Sequence, residues 1–356
     1  MGLVLTPNVG DDAVMQPSVT SLGSHMRMPA EWELHERTWM AWPPVGYLTE
    51  DATDAAYRSW AEVANAIVEF EPVTMVVDPT DIGIAKKWLN DQITIVAAPL
   101  DDAWMRDIGP TFVHAGNGSI MGVDWVFNGW GAQDWTSWEK DQKIASFVCD
   151  QAGSEVLRSS LINEGGGIHV NGSGAILLTK TVQLGVGRNS SWTQDQVEAE
   201  LTRTLGVDQF IWFDRGLTRD YDVYGTRGHV DIMATFIGES TILFHDQQDP
   251  RHPDFEVSKE IQQKIEASGF HAVGIPAPTV LTDENGFVDF SYINHYVVNG
   301  AAIMCSFDDH NDALAKAILE DAYPKRQVVM VDAREIFARG GGIHCITQQQ
   351  PAKGNR

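Results

Sequence analysis

The chain has 356 residues, 43% of them hydrophobic, and a formal net charge of -24, enough apolar material for a large core in one or two domains. So acidic a surface repels nucleic acid and anionic membranes, which are bound through basic patches; it is compatible with a cationic ligand, though acidity for solubility alone is the plainer reading. The three cysteines form no CxxC pair, which argues against a zinc or disulfide framework and suits a reducing compartment; with no run of about 18 apolar residues and no secretory signal, a cytoplasmic protein is expected.

In chain order, residues 1–27 read as a flexible leader and residues 28–356 as one catalytic domain. Thr38 to Trp42 reads as a strand, Asp54 to Phe70 as a helix and Val73 to Val77 as a second strand. A hairpin follows: Thr111-Phe112-Val113, a turn at Gly116-Asn117-Gly118, then Ile120 to Trp125. Its helix runs from Trp138 to Ala152, stopping at Gly153, and its closing strand from Glu155 to Arg158. The same order recurs. Ile168-His169-Val170, the Asn171-Gly172 turn and Ala175 to Thr179 lead into a helix, Thr193 to Leu205, with a Thr-x-x-Gln capping box, and a strand, Phe210 to Phe213. Ile232 to Ile237 and Ile242 to Phe244 precede a helix over Asp254 to Ser268 and a strand over Ala272 to Ile275. Tyr296-Val297-Val298, Asn299-Gly300 and Ala302 to Phe307 precede a helix over Asn311 to Ala322 and a strand over Val328 to Val331. Asn-Gly between apolar runs is the strongest short hairpin signal, because a type I′ turn needs positive φ twice. Ile343 to Thr347 would pair with Thr38 to Trp42, so that the two ends of the domain complete a fifth unit and close a ring without exposed sheet edges. A linear α/β domain with unrelated hairpins is the competing arrangement.

Two glycine runs are near copies: Gly165-Gly166-Gly167-Ile168-His169-Val170 and Gly340-Gly341-Gly342-Ile343-His344-Cys345. Only the second ends in a thiol, the softest nucleophile among side chains. Equivalent positions, at or just before the first strand of each unit, carry Trp104-Met105-Arg106-Asp107, Glu164, Gly228-His229-Val230-Asp231 and His344-Cys345. In a ring of repeats these converge on one pocket. Each residue alone has a plainer role: Cys345 as an inert buried thiol, His229 as a structural histidine, Asp107 as the partner of Arg106 or a turn cap, Glu164 as a holder of the glycine loop. His229 and Asp231, two apart, would face the same side of a strand. Several buried carboxylates need a cation. A single histidine and no tight ligand cluster argue against a metal, whereas a guanidinium pairs with carboxylates through its planar fork.

Five segments together resemble the agmatine deiminase family of the guanidino-modifying pentein superfamily. They are Thr38-Trp39-Met40-Ala41-Trp42-Pro43, Trp104 to Thr111, Asn163 to Gly167, Gly228 to Asp231, and Gly341 to Gln349. The resemblance implies a five-module α/β propeller of pseudo-fivefold ββαβ repeats. It implies hydrolysis of a small cationic guanidino compound, by default agmatine to N-carbamoylputrescine and ammonia, in polyamine biosynthesis and without cofactor or metal. Cys345 would be the nucleophile and His229 the general acid and base. Asp107 and Asp231 would grip the guanidinium, and Glu164 would touch it and orient His229. Trp104, Gly341 and Gly342 would line the substrate pocket. The stretch Asp220 to Arg227 departs from the family's usual Asp-Thr-Asn: Asp220 or Asp222 would favour an amine tail, Arg227 a carboxylate. A deiminase or amidinotransferase acting on a guanidino acid or arginine derivative, and a guanidinium-binding protein without catalysis, are the alternatives. A homo-oligomer is compatible with the sequence.

Overall fold

The computed structural model describes residues 26–45 and 53–354. Its strands form five sheets of three or four strands and a separate two-stranded hairpin. Four sheets share one plan. Thr111–His114 pairs antiparallel with Ile120–Val126, which runs parallel to Glu155–Ile162. Ile168–Val170, Ala175–Thr179 and Gln209–Phe213 repeat that order. So do Ala234–Phe236, Thr241–Asp246 and His271–Pro276, and then Tyr296–Val298, Ala301–Ser306 and Gln327–Asp332. Tight turns suffice for the antiparallel step. The parallel step needs a crossover, supplied in turn by the helices Ile144–Ala152, Gln194–Leu205, Asp254–Ala267 and Asp312–Ala322.

The remaining sheet joins the two ends of the domain. Thr347–Pro351 lies antiparallel to His35–Ala41, which runs parallel to Val73–Val77, and a further strand, Thr94–Ala97, extends the sheet. The helix Thr53–Val68 buries Ala56, Tyr57, Trp60, Val63, Ala64 and Ile67, an i, i+3, i+4 stripe that seats it on the core. Every residue of Val73–Val77 and of Ala175–Thr179 is buried, as expected of strands covered on both faces.

The Thr193–Gln196 capping box is formed, and Gly206, at φ 71, ends that helix in the left-handed conformation. Several boundaries differ from the sequence reading. The helix expected from Trp138 begins as a single 3₁₀ turn, Asp141–Lys143, and becomes α-helical at Ile144. The Asp141 carboxylate anchors that turn by accepting the Asp101 N–H at 2.8 Å. The strand expected from Ile232 starts at Ala234, after a 3₁₀ turn over Val230–Ile232, so His229 and Asp231 do not share a strand face. Ile343 to Cys345 is a turn, and its strand begins at Thr347. The backbone there bonds across to other loops instead: Arg106 N–H to the Cys345 carbonyl and His344 N–H to the Asn294 carbonyl. The expected leader falls, up to residue 25, outside the described residues. Arg27 and Met28 are already tied down, through backbone bonds to His114 and Leu205.

Candidate active site

Cys345 follows Gly341-Gly342, where side chains are excluded. A Cβ on Gly341 would lie 2.7 Å from the Trp104 ring and 3.1 Å from the Cys345 sulfur; one on Gly342 would lie 2.4 Å from the Asn294 amide oxygen. Gly342 therefore serves packing behind the thiol, and Gly341 leaves the approach to it clear. The Cys345 Sγ is buried, 3.6 Å from Asp231 Oδ2 and 3.3 Å from Asn294 Nδ2. Burial, then Asp231 and Asp107, push its pKa well above the ordinary thiol value, so the resting group is a neutral thiol.

His229 is held from below its backbone. Its N–H donates to Asp220 Oδ2 at 3.0 Å, and the same oxygen accepts from Gly228 N–H at 2.5 Å. The other Asp220 oxygen takes the Thr226 N–H and hydroxyl. The Asp220 carboxylate is thus engaged in fixing the loop that carries His229. The His229 Nε2 faces Glu164 Oε2 at 3.3 Å. Its Nδ1 has no hydrogen-bond partner and lies 3.9 Å from Asp107 Oδ2 and 4.0 Å from Asp231 Oδ1. Burial opposes a charge on this ring, but Asp107, Glu164 and Asp231 outweigh it and raise its pKa to about 9.

Asp107 sits on the short helix Met105–Ile108. Its Oδ2 accepts from Trp130 Nε1 at 2.8 Å and its Oδ1 from Gly166 N–H at 3.0 Å. The glycine run in the middle of the chain thus brings a bare backbone donor up to this carboxylate, where a Cβ on Gly166 would strike the His229 ring at 2.5 Å. Burial, with Asp231 and Glu164 nearby and only partly offset by His229, raises the Asp107 pKa. Asp231 is held the other way. Its burial is outweighed by the His344 hydrogen bond at 2.8 Å together with the charges of His344, His229 and Arg106, so its pKa is lowered. Only its Oδ2 is engaged by that bond; Oδ1 has no partner. Glu164 is fully buried and clamped by Arg188 Nε at 2.9 and 3.1 Å. Against burial, Arg188 and His229 lower its pKa to about 2.

Cys345, His229, Asp107, Asp231 and Glu164, predicted from repeat position, are therefore gathered in one place. Trp104 joins Asp107, Trp130, Trp135, Tyr224, Thr226, Arg339, Gly340 and Cys345 around a partly closed cavity of about 10 Å³. Asp222 and Arg227 lie further out, in an open cleft of about 1270 Å³ that shares Trp135 and Tyr224 with the inner cavity. Arg227 donates to Gln133 Oε1 at 3.1 Å. Of the other thiols, Cys149 is held neutral by burial in its helix, with a pKa near 11. Cys305 lies near the site: its Sγ donates to the Asn294 carbonyl at 3.1 Å.

Three residues went unseen in the sequence. Asn294 ends the 3₁₀ turn before Tyr296–Val298 and bonds both the Cys345 Sγ and, at 3.1 Å, the Asp231 carbonyl. It occupies in the fourth unit the place that Asp107, Glu164 and Asp231 hold in theirs, so the repeat argument could have found it. Arg188 and Trp130 carried no signal beyond lying in glycine-rich loops. Among the described residues, one group brings three ligand-type atoms together: Glu31, His169 and His344. It is poorly suited to a metal ion. The His344 Nε2 is already hydrogen-bonded to Glu31 at 2.9 Å, and the Arg106 guanidinium lies 3.8 Å from the same carboxylate.

The family model for Porphyromonas-type peptidyl-arginine deiminase matches residues 27–351. The chain belongs to this deiminase family. A Streptomyces coelicolor protein named "putative agmatine deiminase" is 54% identical over 334 residues, covering 91% of this chain and 98% of the relative. An agmatine deiminase of Ectopseudomonas mendocina is 37% identical over 94% of this chain and 98% of its own length. The solved agmatine deiminase of Enterococcus faecalis superimposes with a TM-score of 0.86 at 28% identity, covering 93% of this chain and 97% of that one. The family read from the five motifs is thus borne out, and with it an α/β enzyme of the guanidino-hydrolase kind. No described helix is long and apolar enough to cross a membrane.

Proposed function

We propose that the chain hydrolyses agmatine to N-carbamoylputrescine and ammonia through a covalent intermediate on Cys345. The observation that carries this reading is one buried site: the Cys345 sulfur, two carboxylates from segments that precede different sheets and a histidine with an unpartnered Nδ1. Asp107 and Asp231 supply charge and acceptors for a planar cation, and Asp231 Oδ1 is an acceptor with no protein donor. A bound guanidinium offsets the two carboxylates that oppose ionisation of the thiol, so the substrate favours its own nucleophile. Sulfur adds to the guanidinium carbon as the thiol proton passes to solvent, a C–N bond breaks, and ammonia leaves carrying the proton delivered by His229, which is left neutral. The product is an S-alkylthiouronium. His229 then takes a proton from water, the C–O bond forms and the C–S bond breaks, giving the ureido product and free Cys345. The aromatic lining of Trp104, Trp130, Trp135 and Tyr224 suits a short alkylammonium, since cations are attracted to ring faces.

The five sheets, with the first and last strands of the domain paired, support a five-module propeller with the site on its axis, in one catalytic domain. The expected location is the cytoplasm. The reading is tested by ammonia release from agmatine, arginine and 4-guanidinobutyrate; agmatine should be turned over best, and no release from any of them would end it. A guanidino acid is favoured by one observation, the exposed Arg227 in the outer cleft. A preference for 4-guanidinobutyrate that vanishes in Arg227→Ala would establish that alternative.

A further inference from the structure

We propose that His344, the neighbour of the thiol, is a positioning residue: its ring ties the Asp231 carboxylate to Glu31 and leaves Asp231 Oδ1 alone to take the guanidinium. The inference rests on Asp231 being a guanidinium grip, as argued above.

The geometry is unusual for a histidine. Nδ1 lies 2.8 Å from Asp231 Oδ2 and Nε2 lies 2.9 Å from Glu31 Oε2, so each nitrogen faces a carboxylate oxygen. A carboxylate only accepts, and a neutral imidazole donates from one nitrogen only. Both bonds are satisfied together when the ring is an imidazolium. Everything packed around it sets the same balance. Burial and Arg106 oppose the charge, Glu31 and Asp231 favour it, and the ring's pKa is raised. His169 stands 6.2 Å away, ring to ring, and Tyr296 presents an edge; His295 is a further buried histidine whose own charge is disfavoured.

The anchor beneath is itself fixed. Glu31 Oε1 accepts the Val297 N–H at 2.8 Å. Arg106 clasps the same turn, donating from Nε to the His344 carbonyl at 3.2 Å and from Nη1 to Gln349 at 2.8 Å. The His344 N–H is held by Asn294 Oδ1 at 2.9 Å. Neither ring nor carboxylate can turn without breaking several buried bonds. With Oδ2 occupied by His344 and lying 3.6 Å from the thiol, Asp231 presents one free oxygen, Oδ1, 4.0 Å from His229 Nδ1, in one orientation, which is what a planar, directional cation requires. Without His344, the carboxylate would be free to rotate and its charge would lose a compensating neighbour.

The test uses the full chain and two alkylating probes that differ chiefly in charge, 2-chloroacetamidine and 2-chloroacetamide. Their rates of reaction with Cys345 are read by mass, and the amidine-to-amide ratio reports how well the site grips a planar cation, whatever the natural substrate. Wild type should favour the amidine strongly. His344→Gln should lower the ratio on the order of tenfold, the worth of a hydrogen bond to a charged group, and Asp231→Asn at least as much. In the Asp231→Asn background, His344→Gln should change it by less than about twofold, because coupled residues are not additive. If His344→Gln does not fold, Glu31→Gln removes the lower anchor and should shift the ratio in the same direction by less. A ratio unchanged by these variants but lost in Asp231→Asn would overturn the inference and leave the site reading intact. So would an equal effect of His344→Gln in both backgrounds. No amidine preference in wild type would overturn both.

Discussion

The two glycine runs share a pattern, Gly-Gly-Gly-Ile-His, and do opposite work. The first folds into a 3₁₀ turn, Gly165–Gly167, and lends a backbone N–H to Asp107. The second turns so that Cys345 enters the pocket. Their histidines converge on one carboxylate: His169 Nε2 lies 4.0 Å and His344 Nε2 2.9 Å from Glu31 Oε2. Yet burial, little offset by Glu31, drives the His169 pKa down to about 3, while that of His344 is raised. The difference lies in the partner on the far side of each ring. On that side His169 Nδ1 accepts the Phe236 N–H at 3.2 Å, while its Nε2, the nitrogen facing Glu31, is bonded to the Thr235 hydroxyl at 2.9 Å; on that side His344 Nδ1 has Asp231. A duplicated motif supplies a scaffold twice, and a few neighbouring residues decide that one copy supports a carboxylate and the other presents a thiol to the pocket.

The sharpest way to break this comparison is to exchange the residues that end the runs. Cys345→Ser should lower turnover by at least about ten-thousandfold, as loss of a nucleophile does elsewhere, with an unchanged melting temperature. Val170→Cys should stay close to wild type and should not rescue Cys345→Ser, because a thiol in the first copy faces no guanidinium grip. Restored ammonia release in the double variant would show that the copies are interchangeable.

Next in size is the pair of carboxylates the runs bring together. Removing one partner of a desolvated ion pair costs on the order of 3–5 kcal/mol, so Asp107→Asn and Asp231→Asn should each lower kcat/KM by at least about a hundredfold. Near-normal kinetics in both would place the cation elsewhere.

The histidines give a smaller, pH-dependent effect. His229 must be protonated to deliver a proton to the departing nitrogen. Its pKa is raised to about 9, so kcat/KM should hold through neutral pH and fall as pH rises through about 9. Imidazole ¹⁵N shifts should show His344 charged and His169 neutral at pH 7; the reverse would undo the contrast drawn here. The smallest expected effect is at the cleft. Arg227 is exposed and its side chain donates to Gln133, so Arg227→Ala should change agmatine kinetics by no more than about threefold, the scale of an exposed contact.

Much of this was legible in the sequence because hairpins and caps are local. Asn171-Gly172, Asn299-Gly300 and the Thr193–Gln196 box mark their elements within a residue or so. The site followed from position within a repeat, which placed Cys345, His229, Asp107, Asp231 and Glu164 together before any distance was known. What stayed hidden depends on contacts between distant segments. Asp220 looked like a tail-binding acid because its partners, the Thr226, Gly228 and His229 N–H groups, are backbone atoms that no side-chain pattern advertises. The clamp of Arg188 on Glu164 and the bond from Asn294 to the thiol span 24 and 51 residues. The turn at Ile343 to Cys345 was read as a strand because its apolar residues fit one; its backbone bonds to Arg106 and Asn294 decide otherwise.

The central claim is that Cys345, and no other cysteine, adds to a guanidinium held by Asp107 and Asp231. It is tested most directly by quenching the enzyme with acid during turnover of agmatine and mapping the cysteine peptides by mass. The account predicts a thiouronium adduct, agmatine less ammonia, on the peptide that carries Cys345 and on neither of the peptides that carry Cys149 and Cys305. An adduct on either of those two, or undiminished turnover in Cys345→Ser, would contradict it.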